Sequence, residues 1–474
     1  MIRLIKNELF KIFHKKGIYI IFIISLVLSA FINSLMNIDM PNTLDDTIYN
    51  NFKQVVEEYD RDNITKDEYY VQAKMSITDY ELRHQKKEYN GYYNPEYYYI
   101  TSVIGPLYNT YYSNLYINND TESAEMNKKL IDEALENLKN FNWRKQIEVE
   151  LKEKESEKEM CSDEDNCLFT NSVEIEVLKY RLDNNIPYSF RDSSSVLDKY
   201  VSDYNTYKDM EKDESKIRSH EDLLEKRQYE SDIAHTKYLI DHKLIKDNFQ
   251  SMSAASVFVS DMCSISMLVV ICIVLVSSAV VADEFNKGTI KQLLIRPYSR
   301  TKIIISKFFA TFITILTFIV LVSIGETIVT GLVNGSFNTL FEPVLIYNYN
   351  THSLMEFNII TAGLLKFACV LPEVLIITLL TFFASTLFTN NGISTAIGII
   401  TYFAAGLLKS FVDLHVAISY FPLVNWDFND YLFGSIPACK YLSLTKAIII
   451  TVITIVTLFV LTLVVYKRKD IKNQ

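Results

Sequence analysis

Pro372 and Glu373 stand side by side near the middle of a long apolar run, 359–388, and are the pair best placed to do chemistry. A carboxylate at that depth must face the interior of a helix bundle. There it lies on a substrate or ion path, pairs with a cation, or packs between helices as a protonated or hydrogen-bonded group. Pro372 has no N–H and kinks a helix, leaving carbonyls that need partners in protein or in a wet cavity. Lys366, seven residues earlier, shares the helical face of Glu373 and is expected to approach it.

Other chemistry is missing from the sequence. There is no GxxxxGK[ST] phosphate loop, no HExxH, no GxSxG and no CxxC pair. The chain therefore offers no catalytic set, no metal-ligand set and no cofactor site of its own. Cys161 and Cys167 flank an acidic stretch, Ser162–Asn166. They form a local disulfide if that region is extracellular, or remain two free thiols, because connectivity cannot be read from spacing.

The elements that would position Glu373 are apolar runs long enough to cross a bilayer. They occupy 18–36, 262–282, 308–325, 359–388, 392–408 and 447–466. Between the first two lies a charged insertion rich in Tyr. Residues 37–253 carry 45 Asp and Glu against 28 Lys and Arg, whereas the rest carries 12 against 19. The overall charge of −10 thus hides basic membrane flanks, and the acidic insertion has the wrong sign for a nucleic-acid partner. Basic residues number five in 1–17, six in 283–307 and four in 467–474, against none in 333–357 and one in 413–445. The positive-inside rule therefore predicts six spans with both termini cytoplasmic and 37–253 outside. The expected fold class is an all-α polytopic membrane protein, with a mainly helical extracellular domain at 37–253.

Within that frame, residues 2–16 place Ile2, Ile5, Leu9, Ile12 and Phe13 on one face. They read as an amphipathic helix lying on the inner membrane surface, before a retained first span at 18–36. In the insertion, Glu122–Glu159 and Ser194–Phe249 are poor in helix breakers and read as helices. A tyrosine-rich patch between Tyr89 and Tyr116 furnishes either a small domain core or a binding surface. Residues 413–445 are apolar and aromatic with Pro and Gly breaks. They are expected to form two short half-helices dipping into the outer leaflet, with Phe421, Pro422 and Trp426 at an outer gate and Trp426 at headgroup level.

One more segment is distinctive: Glu284-x3-Gly288-Thr289-Ile290-Lys291-x-Leu293-Leu294-x2-Pro297-x-Ser299-Arg300-x6-Lys307. It resembles the cytoplasmic loop of type-2 ABC transporter permeases, where a Glu, a Gly-Thr pair, a Leu pair and a Pro-x-Ser-Arg recur after the second span. Asn7–Phe13, NELFKIF, is similar to the interfacial helix of that family. The resemblance covers about 1–36 and 254–474 and leaves 37–253 aside.

The resemblance implies a permease subunit in a bacterial cytoplasmic membrane, paired with a second permease and surrounded by lipid. A separate ATPase subunit would carry ATP and Mg. Its coupling residues would be Glu284, Gly288, Thr289, Ile290, Leu293, Leu294, Arg296, Pro297, Ser299 and Arg300. In that scheme Glu284 caps the entering helix, Gly288 allows a tight bend, Thr289–Leu294 form a coupling helix, Pro297 ends it and Ser299 caps the next span. The cargo class would be a peptide, a hydrophobic drug or a lipid-like molecule. An anchored sensor or binding ectodomain that transports nothing is the alternative, and flux without residues 37–253 would separate the two.

Overall fold

The computed structural model describes residues 1–36, 43–84, 94–161, 166–213, 215, 217–245, 253–264, 266–286, 288 and 298–469. Two compact units divide the chain: a bundle of Met1–Ile38, Arg218–Glu225 and Gln250–Gln474, and a polar unit of Asp39–Ile217 and Lys226–Phe249.

The bundle begins with α1 (Ile2–Phe13) and α2 (Lys16–Met36). The polar unit follows as α3 (Thr43–Arg61), α4 (Glu68–His84), α5 (Pro95–Tyr99), α6 (Gly105–Tyr116), α7 (Thr121–Lys139), α8 (Trp143–Met160), α9 (Asn166–Asn184), α10 (Asp192–Lys212) and α11 (His220–Asp241). A single π turn, Ile100–Ile104, joins α5 to α6. Side-chain caps start several of these helices: Asn94 accepts from Glu96 N, Asp120 from Ser123 N and Asn142 from Arg144 N. The tyrosines pack. Tyr97 and Tyr99 are buried, Tyr98 stacks on Tyr188, and Tyr116 meets Tyr70 edge-on. Tyr89, Tyr92 and Tyr93 lie outside the described residues. Arg181 is fully buried, held by Asp198 Oδ1 at 2.6 Å, by Ser194 and by the Tyr188 ring. Cys161 is disulfide-bonded, Cys263, Cys272, Cys369 and Cys439 are free, and the Cys167 side chain lies outside the described residues.

The chain returns to the bundle with α12 (Ala254–Cys263), α13 (Met267–Asn286), α14 (Arg300–Asn334), α15 (Ile359–Phe388), α16 (Asn391–Phe411) and α17 (Leu444–Arg468). Among the described residues six helices, α2 and α13 to α17, are long and apolar enough to cross a membrane. The protein is an all-α polytopic membrane protein. Nearly all of α13 is buried and it forms the bundle's centre, while α2, α16 and α17 turn Val27, Phe31, Ile400, Leu407, Val452 and Val456 outward. α2 is fastened to α14 by hydrogen bonds inside the apolar layer, Asn33 to Thr330 at 3.2 Å and Asn334 to Asn33 at 3.0 Å.

Three features depart from the sequence expectation. The second span starts at Met267, not Met262. Ser264 is extended, and the Ser266 hydroxyl accepts from Val269 N, so the serines break one apolar run into two helices. Residues 344–357 contain an antiparallel hairpin, β1 (Val344–Asn348) against β2 (Ser353–Phe357), with Ile346 opposite Met355. Residues 413–445 hold no half-helices. Their described elements are three short 3₁₀ turns, Val416–Tyr420, Pro422–Val424 and Asn429–Gly434.

Candidate coupling centre and ligand cavity

At the end of the bundle that carries α1, four charged side chains converge. Lys307, in the second turn of α14, is 1% exposed at its side chain. Its ammonium donates to Glu8 Oε2 of α1 at 2.8 Å and to Glu284 Oε1 of α13 at 2.7 Å. Lys11 bridges the same two carboxylates from the rim, at 2.8 Å to Glu8 and 3.0 Å to Glu284. Two ammonium groups thus balance two carboxylates, Lys307 and both carboxylates shielded from water and Lys11 half-exposed at the rim, and pairing of this kind is the condition under which buried charge is tolerated. In the link between α1 and α2, Lys15 donates to Asp283 Oδ2 at 2.7 Å, and the other Asp283 oxygen accepts from Asn391 at the start of α16. The neighbouring helix ends join in. Ser385 accepts from Ala282 N at 3.1 Å, and Thr395 donates to Ser278 at 2.9 Å. Lys469 donates to the Thr386 and Leu387 carbonyls at 2.7 and 2.8 Å.

Helical spacing puts Glu8 and Lys11 on one face of α1, while Ile5, Leu9 and Ile12 pack against the bundle core. α1 is therefore docked into the bundle by its acidic residue and not merely laid beside it. Burial pushes the Glu8 carboxyl up, but the charges of Lys307 and Lys11 outweigh it and hold it below the ordinary value of 4.5. Burial likewise lowers the Lys11 ammonium, and its hydrogen bond to Glu8 and the charge of Glu284 more than reverse this, raising it above 10.5. The signs follow. Glu8 contributes stability that is fully present above pH 4.5 and is lost as pH falls through its folded value. Lys11 contributes stability that is lost only as pH rises through its own, above 10.5. The contribution of this pair is flat between these limits, and the thermal midpoint in detergent is expected to drop on acidification below 4.5. The acid limb should be shallower in Glu8→Gln, and an identical limb would remove Glu8 from the cause.

The structure reassigns several residues of the 283–307 segment. Glu284 does not cap α13; it is buried in the ion network. Gly288 has φ +68°, the left-handed conformation a tight bend needs. Ser299 caps α14 as expected, accepting from Lys302 N at 3.3 Å. Arg300 turns to the last carbonyls of α17, donating to Lys467 O at 3.2 Å and Lys469 O at 2.9 Å, where a cation suits the helix dipole. Thr289, Ile290, Leu293, Leu294, Arg296 and Pro297 lie outside the described residues.

Toward the opposite end of the bundle, Glu373 faces a cavity of about 280 Å³ between α15, α16 and the 3₁₀ turns. Tyr402, Phe403, Lys409, Trp426 and Asp427 line it with Glu373. Lys366 does not. The cation lining the cavity with Glu373 is Lys409, because α16 turns back at residues 389–390 and packs along α15. Lys409 pairs with Asp430 at 2.8 Å and stands 4.0 Å from Asp427. Trp426 is buried among the residues of the bundle core, Pro422 is half-buried and Phe421 is 52% exposed.

Pro372 sits inside an unbroken α15. The turn before it has a carbonyl, Cys369 O, that accepts from Phe428 N of the covering segment at 3.3 Å. Asn429 donates to Cys263 O at 2.9 Å, and Thr451 of α17 donates to Asn425 O at 3.1 Å. Residues 416–434 are thereby tied to α12, α15 and α17.

Residues 227–472 match the family described as Protein of unknown function (DUF2705). The chain belongs to this family. The DUF2705 region contains Glu284, Lys307, Glu373, Lys409, Trp426 and Asp427, while Glu8, Lys11 and Lys15 precede it. The chain is also similar to the uncharacterized protein YhcI of Bacillus subtilis (strain 168), 23% identical over 246 residues that cover 52% of this chain and 77% of that protein. No solved structure matches the chain.

Sequence reasoning overlooked the partners of Lys307. Two signals were available: a single acidic residue in an otherwise basic amphipathic helix, and a lysine at the threshold of an apolar run.

Proposed function

We propose that this chain is the membrane-spanning subunit of an ATP-driven exporter of the type-2 ABC class. It would sit in a bacterial cytoplasmic membrane with both termini inside and 37–253 outside, as the loop charges favour. It would pair with a second permease, and a separate ATPase subunit would bind and hydrolyse ATP. The observation that carries the reading is the ion network around the base of the 287–299 segment. Glu284 stands immediately before that segment and Lys307 shortly after it, and Glu8 binds the ammonium between them. A displacement applied to the segment by an ATPase is delivered to α1, α13 and α14 together. Through Asp283–Asn391 and Arg300 it reaches α16 and α17. The cargo class that fits the bundle is amphiphilic, because the Glu373 cavity combines aromatic walls with carboxylates.

The test has two stages: an adjacent reading frame is expected to encode a Walker-motif ATPase, and that ATPase is expected to co-purify with this chain. Gly288→Val forces a β-branched residue into a left-handed backbone while its Cβ meets no atom within 4 Å, so the damage is local. Combined with Arg296→Glu, it is expected to abolish ATPase capture while the thermal midpoint of the isolated chain stays within a few degrees of wild type. Arg300 is left unchanged because it holds the end of α17. Full capture by the double variant would overturn the coupling role.

A further inference from the structure

We infer that the Glu373 cavity binds the head group of a cationic amphiphile, an alkylammonium or a similar organic cation. The recognition of cargo by this site rests on the permease reading; the binding itself does not.

Charge is the first ground. Glu373 makes no hydrogen bond or ion pair among the described residues, and it opens on the cavity together with Asp427. The only ammonium lining the cavity, Lys409, is engaged at 2.8 Å by a third carboxylate, Asp430. Three carboxylates against one ammonium leave the site negative even with a proton on one of them. Carboxylates in an apolar layer are stabilised by a cation that can enter it. The walls are the second ground. Trp426 and Tyr402 supply ring faces, which attract organic cations more strongly when water is excluded. Small inorganic cations would instead need converging oxygen ligands, and the wall contributed by Phe403, Ala405, Leu423 and Val424 is apolar. Size and access are the third. At about 280 Å³ the space holds a head group and a few carbons, not a whole amphiphile. Phe403 is half-exposed on the outward face of α16, beside Leu407, so an alkyl tail can lie along that helix in the surrounding apolar phase.

The chain has two tryptophans, Trp143 in the polar unit and Trp426 in the cavity wall. A Trp143→Phe chain in phosphatidylcholine nanodiscs therefore reports the cavity alone. Decyltrimethylammonium, kept well below its micellar concentration, is expected to change Trp426 emission saturably. Decyl sulfate, with the same tail and the opposite charge, should not. Glu373→Gln and Asp427→Asn should each weaken the ammonium by about tenfold or more. Lys409→Gln should tighten it, a direction that damage to the fold does not produce. Equal responses to the two probes, unchanged affinity in both carboxylate variants, or weaker binding in Lys409→Gln would each overturn the proposal. No ATPase is present in this measurement. A chain that binds the ammonium but fails to capture the ATPase keeps this site and loses the permease reading. One that captures the ATPase and ignores the ammonium does the reverse.

Discussion

Lys307→Met is expected to destabilise the bundle by about 3–5 kcal/mol, the cost of leaving buried carboxylates without their cation. The Lys307 ammonium is enclosed and serves Glu8 and Glu284 at 2.8 and 2.7 Å. Lys11 cannot replace it, because its side chain is half-exposed and approaches the same carboxylates from the rim. Methionine fills similar volume, so the loss is electrostatic and not a cavity effect. The measurement is thermal or denaturant unfolding of purified protein in detergent. A companion chain with Glu8→Gln, Glu284→Gln and Lys307→Met removes all three charges and should recover much of the loss. That recovery separates a neutral, packed centre from one damaged by lost volume. A Lys307→Met chain as stable as wild type would show that the network holds nothing together. The triple variant, folded but without the ionic link between α1, α13 and α14, should still lose ATPase capture.

Gly398→Val carries the second large effect. A Cβ at Gly398 would stand 2.5 Å from the Thr381 hydroxyl of α15 and 2.8 Å from both γ-methyls of Val274 of α13. Three helices meet there with no space for a methyl group, the small-residue packing that brings membrane helices close. Neither neighbour can give way cheaply, because Thr381 and Val274 are fully buried and β-branched. Overpacking of this kind costs about 1–3 kcal/mol for the first carbon and more for a branched side chain. Gly398→Ala should already lower the thermal midpoint, and Gly398→Val should lower it further or block accumulation in the membrane. Gly406→Ala, two turns along the same helix, meets no atom within 4 Å and is the control expected to leave stability unchanged. Equal midpoints for all three would mean that α16 does not pack here as described.

The helices were legible because their signals are local. The span Ile359–Phe388 agrees residue for residue with its apolar run, and the helices of the polar unit follow from its shortage of breakers. Ser264 and Ser266 were harder to read, since serine inside an apolar run is tolerated by helices as often as it ends them. The hairpin at 344–357 was overlooked because its alternation is only five residues long on each side. The site divides in the same way. Gly288 and Ser299 answer to local backbone needs and were assigned their roles from sequence. Glu284, Arg300 and Lys409 were misassigned or overlooked because their partners lie far along the chain: Lys307 and Lys11, the end of α17, and Asp430. Pairing Glu373 with Lys366 assumed that a shared face means contact. The cation beside Glu373 comes instead from α16, which packs along α15, and the return segment 416–434, whose resting place no periodicity announces, supplies Trp426 and Asp427.

The hydrogen bond from Phe428 N to Cys369 O works as a latch with a built-in penalty. Pro372 lacks the N–H that would serve Ala368 O, and the bond to Cys369 O, the next carbonyl along, fastens the covering segment to the same turn. Lifting 416–434 off α15 takes a donor from that carbonyl in a place with little water to replace it, unless a solvated guest arrives at the same moment. A solute that brings its own water or donor into the Glu373 cavity lowers the cost of release, and an empty cavity keeps the latch closed.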